Sequence, residues 1–497
     1  AAKDAGLDIS RMNTDELRRY EREIINISDS IDRSDELGSF IHALDGGYTE
    51  AGPSGVITRG RADILPTGRN FYSADPKKLP NRSSWRVGVL LAENTVKKYL
   101  EDTGELPETV AFFWMSGDLL ASGGEQMAQI LYMMGAAPVW SSDGQVNDVR
   151  IVPLKELGRP RIDITVRTSG ILRDNFIHCI DLIDTAVRRI AELDESSEEN
   201  FVRKHVLESC GKGTAYESST ARLFSAPPGS YVSGVNLAVY ASAWKTEKDL
   251  AEIYIASNGY AYGNGRNGAE SHEQFAYSLS KVSVTYNKIA SDEKDLLGCC
   301  CYFSNHGGMT AASRYLSGKD VKAYYGDTRE PDDINVHTLA DEIRRVVRTK
   351  LLNPKWIDGM KEHGYKGGAD MMKRIVRVYG FEATTNEVDD WIFDDIASTF
   401  VNDEEMREFY KENNPYALEE IARRLLEAEA RGLWNADRET LEQLKENYMS
   451  IESWMEDLVT EGEHQGGNID IVSPEDVKEW NGHMAPIISK VNSFLNQ

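Results

Sequence analysis

The stretch from Arg161 to Ala191, RIDITVRTSGILRDNFIHCIDLIDTAVRRIA, changes period half-way, and that change sets the fold class. Its first seven residues are a β-rich run of strand length. From Ser169 on, Phe176, Ile180, Ile183, Val187 and Ile190 recur at steps of three and four, the apolar stripe of a packed helix. The same alternation surrounds it. TVAFFWM (109–115) and VRIVPL (149–154) are short apolar runs, while WRVGVLLAENTVKKYLEDTG (85–104) and GGEQMAQILYMMGA (123–136) read as helices. Strands alternating with helices predict βαβ units and a parallel sheet.

Working outward, four regions are expected. Residues 1–80 hold a charged helix, capped by Thr14, and a Gly/Pro-rich segment. Residues 81–195 form an α/β domain, residues 196–334 a Gly-rich mixed α/β region, and residues 335–497 a mainly helical C-terminal region. The fold class is therefore multidomain α/β: a parallel-sheet region followed by helices.

Composition narrows the function. The chain has 497 residues and a net charge of -25, which disfavours nucleic acid and anionic membranes as partners. No apolar run is long enough to span a bilayer. The first residues, AAKDAGLDIS, lack the order of a signal peptide and an initiator Met, so the chain reads as mature or cut from a larger protein. Five cysteines, three of them consecutive (Cys299, Cys300, Cys301), are no disulfide framework, and a cytoplasmic location is expected. No CxxC pair points to a zinc ribbon.

Several motifs carry possible chemistry. Asp174, His178 and Asp181 are spaced as neighbours on one helix face, either a solvated face or an imidazole oriented by carboxylates for metal or proton work. His306 precedes Gly307-Gly308, either in a Gly-rich turn with a buried histidine or at a backbone that approaches a ligand. The neighbouring cysteines are either core residues or soft ligands. Arg69, Arg167 and Arg173 are candidate carboxylate clamps. Glu463 and His464 form a Gly-flanked polar cluster. SCGKGTAY lacks the spacing of a phosphate loop, and GNGRNG (263–268) is a weak dinucleotide match, so no ATP site is expected in this chain.

Longer blocks add a resemblance. LPTGRNFYSADP, SGGEQMAQILYMMGAAPVW, ELGRPRIDITVRTSGILRDNFIHCIDLIDTAVR, HGGMTAASRYLSGKDVKAYYGDTREP and NPYALEEIARRLLEAEARGLW run in order through the chain. Together they resemble the large subunit of cobaltochelatase (CobN) and its relative, the H subunit of magnesium chelatase, specifically their C-terminal portion. The resemblance implies a tetrapyrrole-binding subunit of a metal chelatase, a ligase forming nitrogen–metal bonds, that acts in cobalamin biosynthesis. It inserts Co²⁺ into hydrogenobyrinic acid a,c-diamide, with ATP and Mg²⁺ used by an AAA+ ATPase subunit beside a von Willebrand A-domain subunit. An N-terminal portion of the same subunit is a further implied partner. His178 and the HGG block look like the cobalt branch; GCCCYF departs from it. In this reading His178 and His306 handle the metal, and His178, Glu125, Asp174 and Asp181 do the proton work. Arg69, Asn70, Arg167 and Arg173 bind the macrocycle. The alternatives are a magnesium or nickel chelatase subunit and a non-catalytic tetrapyrrole-binding scaffold.

Overall fold

A computed structural model describes residues 13–57, 61–72, 74–330, 332–456 and 471–497. Glu463 and His464 lie outside the described residues. The strands are β1 (Ala51–Pro53), β2 (Asn70–Tyr72), β3 (Thr109–Trp114), β4 (Ala136–Trp140), β5 (Val146–Ile151), β6 (Asp163–Thr168), β7 (Leu223–Ser225), β8 (Tyr260–Gly263), β9 (Arg266–Glu270), β10 (Val284–Ile289), β11 (Lys322–Asp327) and β12 (Asn335–Thr338). Eight of them form one sheet in the order β12-β11-β10-β3-β6-β7-β8-β9. The five central strands, β11 to β7, are parallel, and the outer ones are antiparallel. The sheet draws strands from both 81–195 and 196–334. After β12 the described chain is helical.

The strands are apolar on both sides because both sides are covered. Val110, Phe112, Ile164, Val166 and Tyr286 face a core shared with Met127, Ile130, Ile180 and Ile183. Ala111, Phe113, Ala323 and Tyr325 face the opposite core, shared with Tyr254, Phe303, Met309 and the C-terminal helices. Period-two alternation along each strand assigns neighbours to different faces. From β3 the chain moves through β6 to β7 on one side, then returns to place β10 and β11 on the other. The strand order thus reverses between β3 and β10, the switch point at whose C-terminal ends sheets of this kind form their crevice.

Three local expectations change. The single helix expected over 169–191 is two, Gly170–Asn175 and Ile177–Ala191, broken at Phe176 (φ -124°, ψ 41°). Arg173 is held by the carbonyls of Ala226, Pro227 and Ser230, and Phe176 turns its ring into the core. GNGRNG follows a short strand but opens another one: it makes the β8–β9 hairpin. The first helix begins at Thr14, and it is Asn13 whose side chain accepts an amide, that of Asp15.

The buried start of β6 is held by ions. Asp163 accepts from Arg222 Nε at 2.9 Å and contacts His205 Nδ1 at 2.9 Å. Burial works against a charged His205, but its bonds to Asp163 and Glu108 outweigh that and raise its pKa above 6.5. His205 and Lys204 hold Glu108 at about 2. A raised folded pKa stabilises fully below the unfolded value and is lost as pH rises through the folded one. Wild-type urea stability therefore falls as pH climbs above about 6.5, and His205→Gln removes that part of the slope. An unchanged slope in the variant would contradict the assignment.

Candidate active site

The crevice between β3 and β10 holds a buried charged cluster. Gly123 (φ 66°) and Gly124 (φ 90°) take the left-handed turn that starts the helix Glu125–Met134. Asp118, just after β3, caps that helix: its carboxylate accepts from the amides of Gln126 (2.8 Å) and Met127 (3.1 Å), and from Trp114 Nε1 (3.0 Å). Lys288, near the end of β10, reaches across, with Nζ 2.7 Å from Glu125 Oε2 and 3.2 Å from Asp118 Oδ1. Ser122 Oγ accepts from Lys288 at 2.8 Å, and Thr328 Oγ1, past β11, donates to Glu125 at 2.9 Å. Two carboxylates share one ammonium, all three away from bulk water. Such a pair can receive a proton or attract a cation.

A groove of 600 Å³ is lined by Tyr72, Trp140, the cations Arg61, Lys78 and Arg82 and the carboxylates Asp63 and Asp75, with Arg61 Nε 2.8 Å from Asp63. The Arg82 guanidinium lies 5.0 Å from the Trp140 ring centroid. The amide of Asn81, also a lining residue, donates to Gly123 O at 3.1 Å, which ties the groove wall to the Glu125 turn. A second groove of 900 Å³ shares Pro53 with the first and is lined by Arg69, Asn70, Phe40 and Tyr48. Apolar and aromatic walls with a few placed cations suit a flat, carboxylated ligand.

The sequence model of the CobN/Magnesium Chelatase family matches residues 2–441. The chain belongs to this family. It is similar to an uncharacterized protein of Methanocaldococcus jannaschii (53% identity over 93% of this chain and 38% of that protein). It is also similar to the aerobic cobaltochelatase CobN of Pseudomonas aeruginosa (40%; 82% and 34%) and to the magnesium-chelatase H protein of Chlorobaculum parvum (36%; 86% and 34%). Among solved structures it is similar to the catalytic subunit of cobaltochelatase from Mycobacterium tuberculosis, with a TM-score of 0.80, 38% identity, and 84% of this chain matching 36% of that one. The chain spans about a third of the length of these relatives. Family membership thus relates this chain to metal-chelatase subunits.

Within that chelatase frame, the residues singled out from sequence separate. Glu125 lies at the crevice. Arg69 and Asn70 line the larger groove, although Arg69 Nε and Nη2 donate to the carbonyls of Pro66 and Ile64. Asp174 lies on a different helix from His178 and Asp181, and the three side chains have different partners. Asp174 pairs with Arg173, which lowers its pKa, and accepts from Tyr231. His178 Nε2 lies 2.7 Å from Val146 O, and Asp181 accepts from the Asn264 amide. Arg167 is sequestered: burial lowers its pKa to about 10, and its donors end on Asn258 and Thr168. Arg173 is equally occupied by carbonyls and Asp174.

A metal site shared by His178 and His306 is not formed. The helix bearing His178 packs on the Tyr286 face of the sheet. His306 rests on Thr285 and Tyr325, on the opposite face. Burial pushes the His306 pKa down to about 4, so its imidazole is neutral. Nor is the HGG block a turn: Tyr302–Gly307 is a π-helical segment continuing into Gly308–Ser317. A Cβ on Gly307 would sit 2.1 Å from Thr384 Oγ1, so this glycine serves helix packing rather than ligand approach. Gly307→Ala is expected to destabilise by about 1–3 kcal/mol in urea unfolding; an unchanged midpoint would contradict this.

Sequence reasoning missed Asp118, Lys288, Thr328, Arg61, Lys78, Arg82 and Trp140. Lys288 and Thr328 join the site only through strand order, which no local pattern encodes. Asp118 carried a local signal: it lies in SGDLLASGGE, a carboxylate shortly before a Gly pair and a helix.

Proposed function

We propose that this chain is the metal-inserting part of a chelatase large subunit that places Co²⁺ into hydrogenobyrinic acid a,c-diamide, with the chemistry at the β3–β10 crevice. The observation that carries the reading is the buried Asp118–Glu125–Lys288 cluster, whose Gly123 turn is bonded to Asn81 of a groove lined by cations and aromatics, in a chain of this family. Metal insertion removes two pyrrole N–H protons and exchanges water ligands of the ion for ring nitrogens. Lys78 and Arg82 meet peripheral carboxylates of the ring, while Tyr72 and Trp140 cover its face. Arg69 and Asn70 extend contact along the second groove. Glu125 accepts a ring proton, and Lys288 and Asp118 hold its carboxylate in place. His178, on the same side of the sheet as Glu125, serves the incoming Co²⁺, for which imidazole is a suitable ligand.

ATP and Mg²⁺ belong to separate subunits in this reading, an AAA+ ATPase and a von Willebrand A-domain protein. The rest of the large subunit covers the exposed apolar side chains Leu37, Phe40, Leu44 and Tyr48. None of the described helices is long and apolar enough to cross a membrane. A second reading, insertion of Mg²⁺, is favoured by the similarity to the magnesium-chelatase H protein. Competition between Co²⁺ and Mg²⁺ in the reconstituted complex, read by absorbance of the metallated ring, separates the two. Preference for Mg²⁺ overturns the cobalt assignment.

The groove gives its own expectation. Arg82→Ala weakens tetrapyrrole binding by roughly 10- to 100-fold, the worth of a charge-assisted hydrogen bond of about 1.5–3 kcal/mol. Fluorescence quenching of the bound ring measures it. Unchanged affinity would remove Arg82 from the binding surface.

A further inference from the structure

Three thiols meet at one point that the proposed chelatase chemistry does not use. Cys299, Cys300 and Cys301 open the helix that runs through His306, and their Sγ atoms all lie within 4.8 Å of one another. The Cys301 amide donates to Cys299 Sγ at 3.3 Å. All three are free thiols and half-buried, with Cys300 and Cys301 packed at the edge of the core.

The positive charge of Arg377 acts at Cys300. Arg377 donates from Nη1 to Leu297 O at 2.7 Å, while its Nε is buried with no hydrogen-bond acceptor. Three thiolates around a divalent ion carry a net charge of -1, which this guanidinium offsets. With metal–sulfur bonds of about 2.3 Å, three sulfurs on one ion stand roughly 3.8–4.0 Å apart, within small rotamer changes of the arrangement seen.

We propose that Cys299, Cys300 and Cys301 form a tris-thiolate site for one thiophilic divalent d-block ion, with a fourth position left open. The site lies on the His306 face of the sheet, away from Glu125, and does not depend on the chelatase assignment. Thiolates select borderline and soft ions over Mg²⁺.

The test is anaerobic titration of the reduced full chain with Cd²⁺ alone, and separately with Co²⁺ alone, following sulfur-to-metal charge-transfer absorbance. One ion per chain is expected, with intensity for three thiolates and a first shell of three sulfurs by X-ray absorption. Cys300→Ser weakens binding on the order of 100-fold or more, since loss of a direct ligand exceeds the 10- to 100-fold typical of supporting residues. Cys210→Ser leaves it unchanged. The X-ray absorption and stoichiometry use the unaltered protein, so a poorly folding variant does not blur the result. Absence of the band, a shell with fewer than two sulfurs, or a band that persists in the triple serine variant overturns the proposal.

Discussion

Glu125→Gln lowers metal insertion by about 10²- to 10⁴-fold, the usual contribution of a positioned proton acceptor, while the tetrapyrrole still binds. The substitution keeps the shape and the bond from Thr328 but removes the charge that accepts a ring proton. Asp118 still pairs with Lys288 at 3.2 Å, so the ammonium is not stranded and the fold survives. The signature is a fall in kcat with the ring dissociation constant nearly unchanged. Equal loss of binding and turnover would make Glu125 a structural residue. Full activity would remove it from the mechanism.

Asp163→Ala destabilises the protein by about 3–5 kcal/mol, the cost of leaving a buried ion without its partner. Asp163 sits between Arg222 and His205, and all three are buried. Arg222 Nε loses its carboxylate. The double variant Asp163→Leu/Arg222→Met recovers much of the loss, because the strong term is the stranded charge rather than the pair itself. The urea midpoint of the transition that unfolds the sheet measures both. A single variant within about 1 kcal/mol of wild type would mean that the start of β6 is held by packing alone.

Much of the fold is legible in the sequence because burial writes itself into composition. TVAFFWM and RIDITVR are apolar on both sides, as central parallel strands are, and the stripe through Ile180, Ile183 and Val187 marks a helix laid on one face. The errors fall where local and tertiary preferences part. YAYG is too short and too close to the preceding helix to read as a strand, yet pairing with β7 and β9 makes it one. The HGG block carries two glycines that ordinarily mark a turn, but here Gly307 and Gly308 lie in helix against Thr384 and Tyr254. Phe176 breaks a well-patterned helix because Arg173 is anchored elsewhere.

The site was less legible than the fold. Glu125 was reached through resemblance, whereas its partners come from β10 and the end of β11, more than 160 residues further along the chain. Their meeting depends on where the strand order reverses. The groove cations Arg61, Lys78 and Arg82 sit in an irregular segment whose residues converge only once β4 and the turn at Gly123 are in place. The pairing of His178 with His306 failed for a simple reason: sequence does not say which face of a sheet a helix covers.

The most direct measurement is the structure of the complete large subunit with its tetrapyrrole bound. The ring is expected against Tyr72, Arg82 and Trp140, with its inner nitrogens turned toward the Glu125 carboxylate. A ring seated on the opposite face, near His306 and Cys301, or held entirely outside residues 1–497, would contradict the placement of the chemistry at the β3–β10 crevice.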